Sequence, residues 1–212
     1  MRVYKFLNQQ YGLKSLYERR LRRTRISELN DPFELRPYDL TNPEHRQAFL
    51  KAKKDLAQRF GLLCFSAAWD DPVIWAHYSD KHRGLCLGFE IPPKVEKEET
   101  QRVEYIANPL PFPADFFEQD DDSHLVIVNK MIFTKYRFWE YEREIRTWTD
   151  LEEEFFDFGE VLHLAEVIIG AECPLPTEEV KRALGSVGDS VSVKKARAAH
   201  GTFQIVEDES AH

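Results

Sequence analysis

The chain has 212 residues, of which 42% are hydrophobic, and a formal net charge of −8, so it is long enough to enclose one substantial core. A mean hydropathy of −0.51 and the lack of an apolar run near ~18 residues exclude a membrane span. The amino-terminal sequence MRVYKFLNQQYG also lacks the layout of a secretory signal. We therefore expect one domain over residues 1–206, followed by a flexible tail over residues 207–212.

The cysteines predict free thiols rather than a disulfide framework. Cys64, Cys86 and Cys173 are odd in number and include no Cys-X-X-Cys spacing, which argues against disulfides and against a zinc ribbon. A reducing cytoplasm is the compartment that fits this usage. Cys64 and Cys86 both lie in apolar segments, where a thiol usually packs in the core instead of acting as a nucleophile.

The first part of the chain predicts an alternation of strands and helices. Residues 3–7 form a strand pattern, and apolar residues up to Leu21 then follow helical spacing. A second strand is expected at residues 23–27, before a turn at Asn30-Asp31-Pro32. The segment 41–44 combines capping side chains with proline at the first helical position, and we expect its helix to end at Gly61.

The rest of the chain continues this alternation with short apolar segments. Its glycines and prolines are too densely spaced for regular strand–helix–strand units. We therefore predict an α+β domain with a mixed, mostly antiparallel sheet and flanking helices. Helices are expected from Asp70 or Asp71 to Tyr78 and over residues 125–136 and 177–184; strands are expected at residues 61–66, 84–90, 102–107, 143–149, 162–169 and 202–206; residues 94–100 and 109–122 are expected to be connections.

Three charged runs are expected to be exposed to solvent. The arginines of residues 19–25 have the charge to face phosphates, but the whole chain is acidic, with a pI of about 5.5, which favours a solvated helix end. The acidic runs at residues 120–122 and 152–154 are contiguous and lack the interleaved spacing of a calcium loop.

The first candidate site is the segment Trp75-Ala76-His77-Tyr78, which is followed by His82-Arg83. On a helix this segment would turn an aromatic face to the core and a basic face to a cleft. His77 is as plausible a structural histidine as a functional one, and its spacing from His82 is poor for metal binding. The chain has no GxSxG, GxxxxGK[ST] or GxGxxG motif, so a hydrolase elbow and a P-loop are excluded.

The second candidate site is the acidic and aromatic segment of residues 139–148. If it forms a strand, Glu140, Glu142, Glu144 and Arg146 lie on one face. Neighbouring carboxylates raise one another's pKa, and a positioned glutamate can hold a sugar hydroxyl and stabilise positive charge at an anomeric carbon. The alternative is a solvated edge in which Glu144 pairs with Arg146 or Arg83.

Several ordered blocks of the sequence resemble the bacterial and phage domain-of-unknown-function family 2971. The resemblance extends from residue 1 to about residue 206, and the family has no settled activity. The blocks are Asn30-Asp31-Pro32-Phe33-Glu34, Cys64-Phe65-Ser66, Trp75-Ala76-His77-Tyr78, His82-Arg83-Gly84-Leu85-Cys86-Leu87-Gly88-Phe89 and Trp139-Glu140-Tyr141-Glu142-Arg143-Glu144-Ile145-Arg146.

The order of the same segments is similar to the layout of the ADP-ribosyltransferase fold. In that superfamily a first strand carries His or Arg, a middle strand carries Ser or an aromatic residue, and a late strand carries Glu, sometimes as Glu-x-Glu. Here Tyr4-Lys5 takes the first place, without the His or Arg, Phe65-Ser66 takes the second, and Glu142-x-Glu144 takes the third.

This resemblance implies a reaction and a set of roles. The nicotinamide–ribose bond of NAD would be cleaved through an oxocarbenium-like state. Glu144 and Ser66 would hold the ribose, Glu142 would orient the acceptor, and Tyr78 would stack on nicotinamide. The remaining residues predicted to bind substrate are Tyr4, Lys5, His77 and Arg83.

The leading hypothesis is an NAD-using ADP-ribosyltransferase-like or glycohydrolase-like effector, of the kind found in toxins or anti-phage defence. NAD would be its substrate, no metal is expected, and the acceptor would be a protein or a nucleic acid. The alternative is a non-catalytic defence or protein-interaction module, whose acidic segment contacts a partner protein. A third hypothesis is a nucleic-acid enzyme that uses the arginines of residues 19–25.

Overall fold

The computed structural model describes residues 1–92, 100–117, 121–151, 154–159 and 161–210, with the backbone alone at residues 121–123 and 150. No helix in these ranges combines the length and the apolar composition needed to cross a bilayer. The helices are α1 (Gln9–Glu18), α2 (Pro43–Arg59), α3 (Pro72–Tyr78), α4 (Asp121–Phe133) and α5 (Thr177–Leu184), with 3-10 helices at Ile26–Glu28, Ala114–Phe117, Arg137–Glu142 and Gly185–Ser190.

Thirteen strands lie between and beside these helices in the described ranges. They are β1 (Arg2–Leu7), β2 (Arg20–Arg22), β3 (Thr24–Arg25), β4 (Phe60–Ser66), β5 (Leu85–Glu90), β6 (Thr100–Arg102), β7 (Glu104–Ile106), β8 (Thr134–Tyr136), β9 (Glu144–Asp150), β10 (Phe155–Asp157), β11 (His163–Ile169), β12 (Ser192–Ala198) and β13 (Ile205–Glu207).

Two helices begin where a side chain accepts a hydrogen bond from a free backbone N–H group at the position that the sequence predicted. Asn42 caps α2 by accepting a hydrogen bond from the Glu44 N–H, and proline occupies the first helical position. Asp71 caps α3 in the same way, accepting from the Val73 N–H. These caps start both helices at the predicted places.

Most of the strands join one sheet in the order β13-β12-β11-β5-β1-β4-β9-β6, with β3 added beside β4. Within this sheet only β11 and β12 run parallel, and every other pair of described strands is antiparallel. One face packs against α1 and α5 through the largest apolar cluster, which includes Leu16 and Leu184. The other face carries α3. The predicted α+β class, with its mixed and mostly antiparallel sheet, is confirmed.

The sheet is split between β1 and β4. β1 pairs with β5, and β4 pairs with β9, along almost their whole lengths. In contrast, the described contact between β1 and β4 is the single pair Tyr4↔Ser66. Further along β4 its edge is taken by β3, at Thr24↔Leu62 and Arg25↔Gly61. The two halves of the sheet therefore diverge, and a cleft opens between them.

Gly61 does not end a helix, as its place in the sequence suggested. The helix ends at Arg59, and Gly61 lies inside β4, where neighbouring chain segments approach closely. A Cβ atom at Gly61 would lie 2.9 Å from Leu151 Cδ2 and 3.3 Å from Arg23 Cβ. The glycine is needed there for packing, not for a helix end.

Residues 139–142 are not part of a strand, which corrects the predicted alternation. They belong to the 3-10 helix Arg137–Glu142, which ends at Arg143 in the left-handed region, with a φ of 45°. β9 begins only at Glu144, so Glu144 and Arg146 share a face of the sheet while Glu142 approaches from the 3-10 helix. Glu140 is exposed on that helix.

Other boundaries also differ from prediction. β12 was not predicted because its sequence, SVKKARA, is polar and has little buried apolar surface. The predicted strand at residues 23–27 is a short strand, β3, followed by a 3-10 helix. Leu21 and Tyr136, which were expected at the ends of helices, lie in β2 and β8. Glu207, which was expected in the tail, is the last residue of β13. The predicted connection at residues 94–100 lies almost wholly outside the described residues.

Gly84, which precedes β5, gives a first test of the packing. A Cβ atom there would lie 2.0 Å from the Leu7 carbonyl oxygen, so a methyl group must displace the end of β1. We expect Gly84→Ala to lower the free energy of unfolding by about 3 kcal/mol, measured by urea denaturation. Gly201→Ala is the matched control, since nothing lies within 4 Å of its Cβ position. Equal losses in the two variants would contradict the close packing.

Candidate functional site

A pocket of about 390 Å³ lies in the cleft between the two halves of the sheet. β1 and β4 form its floor, α3 forms one wall, and the segment after β3 forms another. Every candidate residue except Arg83 lines it, namely Tyr4, Lys5, Ser66, His77, Tyr78, Glu142 and Glu144. The fold therefore brings together side chains that are far apart in the sequence.

Arg83 lies outside this group. It is exposed in the turn after α3, where Asp80, Lys81 and His82 all have positive φ values, of 49°, 56° and 68°. The turn is closed by a hydrogen bond of 3.1 Å from the Arg83 N–H to the Asp80 carbonyl. Because the chain reverses here before β5 begins, Arg83 does not line the pocket.

A buried cluster of charges forms one end of the pocket. The ammonium of Lys135 is its centre, with Nζ 2.5 Å from Glu142 Oε2, 3.1 Å from Glu144 Oε2 and 2.9 Å from Glu34 Oε1. Burial alone would lower the pKa of Lys135, but the three carboxylates outweigh it and raise that pKa. Lys135 is therefore fully charged at neutral pH.

Arg146 is the second cation of the cluster and is completely buried, with 0% of its surface exposed. Its Nε donates to Glu144 Oε1 at 2.8 Å, and its Nη2 donates to Glu144 Oε2 at 2.9 Å and to Glu34 Oε2 at 2.7 Å. Nη1 donates to the Ile132 carbonyl at 2.7 Å. Glu144 thus has the arginine partner that the sequence offered as an alternative, although the pair is buried and not on a solvated edge.

The two glutamates of the Glu-x-Glu segment differ in their protonation. Burial raises the pKa of Glu142 to about 7, against the opposing charge of Lys135. Burial would also raise the pKa of Glu144, but the positive charges of Arg146 and Lys135 outweigh this effect and hold that pKa well below its usual range. A carboxyl that exchanges a proton near neutral pH therefore lies beside one that stays ionised, as in many acid–base sites.

Tyr78 and Asn30 complete the surroundings of Glu142. The Tyr78 hydroxyl donates to Glu142 Oε1 at 2.5 Å, and it accepts from Asn30 Nδ2 at 3.3 Å. Burial and the charge of Glu142 raise the pKa of Tyr78, so the phenol keeps its proton and remains a donor. Both oxygens of Glu142 therefore have a fixed partner, which holds the carboxyl in one orientation.

Lys5 lies where β1 and β4 separate. Its Nζ donates a hydrogen bond of 3.0 Å to the Cys64 carbonyl of β4. This carbonyl therefore bonds to a side chain of β1 and not to its backbone. Within the described residues no carboxylate forms an ion pair with Lys5, so its charge is uncompensated in the pocket. The neighbouring Cys64 thiol is neutral, because burial raises its pKa to about 12.

An aromatic group surrounds His77 at the edge of the pocket. His77 is exposed, and its Nδ1 lies 2.9 Å from the Tyr141 hydroxyl. The ring of Trp139 is 6.2 Å from His77 and 6.0 Å from Tyr141, between centroids. Lys135 Nζ lies 4.9 Å from the centroid of Trp139, which connects this group to the charge cluster.

The side chains of Tyr4 and Ser66 have partners outside the charge cluster. The Tyr4 hydroxyl donates to Glu166 Oε1 at 3.2 Å, and burial raises its pKa to about 12. Ser66 Oγ accepts from the Ala68 N–H at 3.2 Å, which orders the loop after β4. The serine hydroxyl can still donate a hydrogen bond to a ligand in the pocket.

Sequence reasoning missed Lys135, Glu34 and Asn30. Glu34 and Asn30 belong to a block that was noted only as a resemblance, and Lys135 carried no signal at all. Glu34 and Arg146 are separated by 112 positions, so no local spacing could indicate their contact.

Two arginines of the run at residues 19–25, Arg20 and Arg22, pair with carboxylates. Arg22 pairs with Glu28 at 2.8 Å and with Glu154 at 2.9 Å, and Arg20 pairs with Glu18 at 2.9 Å. Residues 152 and 153 of one predicted acidic run and residue 120 of the other lie outside the described ranges. The described residues contain no group of three or more side chains that could hold a metal ion.

No family model, curated protein or solved structure matches the chain. The resemblances to family 2971 and to the ADP-ribosyltransferase fold therefore remain predictions. Support for a function comes from the geometry and the charges of the pocket.

Proposed function

We propose that the pocket is the active site of an enzyme that cleaves the nicotinamide–ribose bond of NAD, as a transferase or a glycohydrolase. One observation carries the proposal: a carboxyl with a pKa near 7, Glu142, lies beside an ionised carboxylate, Glu144, in a concave pocket at a split in the sheet. Two carboxyl groups whose environments separate their pKa values are typical of sites that cleave glycosidic bonds.

The chemistry of the bond suits the anionic cluster at one end of the pocket. When the ribose–nitrogen bond breaks, its electron pair leaves with nicotinamide, which becomes neutral, and positive charge develops on the ribose. With Glu34, Glu142 and Glu144 all ionised, the cluster carries one more negative charge than Lys135 and Arg146 supply. This excess stabilises the developing cation more than it stabilises the substrate.

Glu142 is the better candidate for the proton transfer. After the bond breaks, water or an acceptor attacks the ribose carbon, and its proton passes to the ionised Glu142 carboxylate. Glu144 is held by Arg146 on both oxygens and by Lys135 on one, so it acts through its charge. Ser66 and Tyr78 line the pocket where the ribose and the nicotinamide would lie.

The direct test is nicotinamide release from NAD by the purified protein. We expect release above the uncatalysed rate and, with an added protein or nucleic acid, transfer of ADP-ribose to that acceptor. Absence of release with and without an acceptor would contradict the proposal. An effector of this kind would work in the cytoplasm, and the free thiols of Cys64, Cys86 and Cys173 suit that compartment.

The pH dependence follows from the raised pKa of Glu142. The base must be ionised, so kcat/KM for NAD should be low below pH ~6, rise through about 7 and level off above it. The measurement is initial rates of nicotinamide release in buffers of constant ionic strength. A flat profile across this range would assign the proton transfer to another group.

The alternative function is a non-catalytic protein-interaction module. The observation in its favour is that Arg146 and Lys135 occupy both oxygens of Glu144, as in a structural ion cluster. Such a module would show no turnover, and the chain would instead retain a partner protein. Reversal of the exposed acid Glu140 to lysine should then weaken that association while leaving the fold intact.

A further inference from the structure

Two segments that meet at the charge cluster carry exposed aromatic rings next to their buried charges. Glu34 and Lys135 both line the pocket and are in contact, with Oε1 2.9 Å from Nζ. The residue before Glu34 is Phe33, which is 60% exposed, and the residue after Lys135 is Tyr136, which is 41% exposed. Phe138 is 66% exposed and contacts Tyr136, with 5.0 Å between the ring centroids. The ion pair therefore brings two sets of exposed rings into one region.

Phe33 is held in solvent by an ordered turn. Its N–H donates to Asp31 Oδ1 at 2.9 Å, and its carbonyl accepts from the Arg36 N–H at 3.1 Å. Leu35, in the same turn, has a left-handed backbone with a φ of 57° and a completely buried side chain. The turn thus buries one apolar side chain and exposes another.

Phe138 lies close to the edge of the pocket. It precedes Trp139 in the 3-10 helix Arg137–Glu142. The ring of Trp139 is 6.2 Å from that of His77, which lines the pocket, and 4.9 Å from Lys135 Nζ. A group bound on Phe138 is therefore near the site at which the ribose would react.

Each of the two exposed phenylalanines has a guanidinium group beside it. Arg36 Cζ is 5.6 Å from the centroid of Phe33, and Arg137 Cζ is 5.5 Å from the centroid of Phe138. Both arginines are exposed, and neither forms an ion pair with a carboxylate of the described residues. The exposed acid on the 3-10 helix is Glu140, and no described contact joins its side chain to either arginine. Both guanidinium groups therefore keep donors for an anion.

Exposed rings beside free guanidinium groups fit a single-stranded nucleic acid. A base stacks on an exposed aromatic face whatever its identity, and the neighbouring arginine binds phosphate. A duplex keeps its base faces inside its own stack, so only unpaired nucleotides can use both features. An acidic protein segment would satisfy the arginines but would offer the rings no flat partner.

We propose that the acceptor is a base of a single-stranded nucleic acid, which docks on Phe33, Arg36, Arg137 and Phe138. The inference rests on the proposed function and names the acceptor of that same site. An amino nitrogen of the base forms a bond to the ribose carbon, and the bond from that carbon to nicotinamide breaks. The electron pair of the broken bond leaves with nicotinamide, and the proton of the amino group passes to the Glu142 carboxylate. The step needs no oxidant or reductant.

The first experiment measures binding without NAD, by the fluorescence anisotropy of a labelled single-stranded oligonucleotide of mixed sequence. We expect Phe138→Ala to raise Kd about 10-fold, the order expected for loss of one base–aromatic stack. Arg137→Gln should lower the slope of log Kd against log salt concentration by about 0.7, the share of one phosphate contact. Tyr17→Ala and Arg182→Gln are the controls, because both residues are exposed on α1 and α5, on the other face of the sheet.

Three results of this experiment would overturn the proposal. The first is absence of binding, or equal changes in the variants and in the controls. The second is equal affinity for the same oligonucleotide as a duplex, because its bases cannot stack on the rings. The third is displacement of the oligonucleotide by polyglutamate as readily as by unlabelled single strand, which would assign the surface to acidic proteins.

The second experiment follows transfer of ADP-ribose from NAD labelled in its phosphates to the oligonucleotide. With oligonucleotide below its Kd, Phe138→Ala should reduce this transfer about 10-fold and leave nicotinamide release without acceptor unchanged. Labelling of added casein and not of the oligonucleotide would overturn the proposal. Phe138-dependent binding without nicotinamide release would support the docking surface and contradict the proposed function. Nicotinamide release without oligonucleotide binding would overturn the docking surface alone.

Discussion

Glu142→Gln is expected to reduce nicotinamide release from NAD at least 100-fold. Glutamine keeps the size and shape of the side chain but cannot take up the proton, and general base catalysis is worth about 10² to 10⁴ in rate. The same substitution removes the excess negative charge of the cluster, so transition-state stabilisation falls as well. The effect should appear in kcat.

The matched control for Glu142→Gln is Glu140→Gln on the same 3-10 helix. Glu140 is exposed, and its side chain has no described part in the pocket. We expect wild-type rates for it, measured in the same assay. A comparable loss in both variants would show that the 3-10 helix, and not the carboxyl of Glu142, carries the effect.

Glu142→Gln should leave the fold stable at pH 8, which separates catalysis from folding. Burial makes the ionised form of Glu142 unfavourable, and its pKa therefore rises from 4.5 in the unfolded chain to about 7 in the folded protein. Its contribution to stability is therefore complete below pH ~4.5 and is lost as the pH rises to about 7. At pH 8 the variant lacks this unfavourable charge, and its two remaining carboxylates balance the two cations.

Arg146→Met is expected to lower the free energy of unfolding by about 3 to 5 kcal/mol. Methionine fills much of the buried volume but leaves Lys135 as the one remaining described cation in contact with Glu144 and Glu34. An ionised carboxylate that loses its partner in a dry interior is far costlier than the same loss at the surface. Urea denaturation at neutral pH measures the difference.

Arg22→Met is the control for Arg146→Met. Arg22 also pairs closely with glutamates, at 2.8 and 2.9 Å, but 46% of its side chain is exposed. We expect a loss below about 1 kcal/mol. An equal decrease in the free energy of unfolding in the two variants would show that burial does not determine how much Arg146 stabilises the fold.

The parts of the fold that were predictable have local causes. α5 was predicted to the residue because its start, its apolar face and Gly185 all lie within one short segment. The strand at residues 84–90 was predicted because nearly all its side chains are apolar and buried. In contrast, β12 is held between β11 and β13 by its backbone, and of its side chains only Ala196 is fully buried.

The site was predictable only in part, for a related reason. The Glu-x-Glu segment and the end of α3 are conspicuous in the sequence, and Glu142, Glu144, His77 and Tyr78 line the pocket. The protonation of the two glutamates depends on Lys135 and Arg146, and those contacts are tertiary. The strand alternation considered for residues 139–148 fails at residues 139–142 for a local reason of another kind, since a left-handed Arg143 cannot be recognised from its residue type.

The single backbone pair between β1 and β4 has a mechanical consequence. Each half of the sheet has its own continuous ladder, whereas Tyr4↔Ser66 is the single described backbone pair at the seam, beside the Lys5 hydrogen bond and the packing of Phe65 on Phe89. Resistance to bending is therefore lowest along this line. We expect any change in the width of the entrance to occur along this line, with both ladders kept intact.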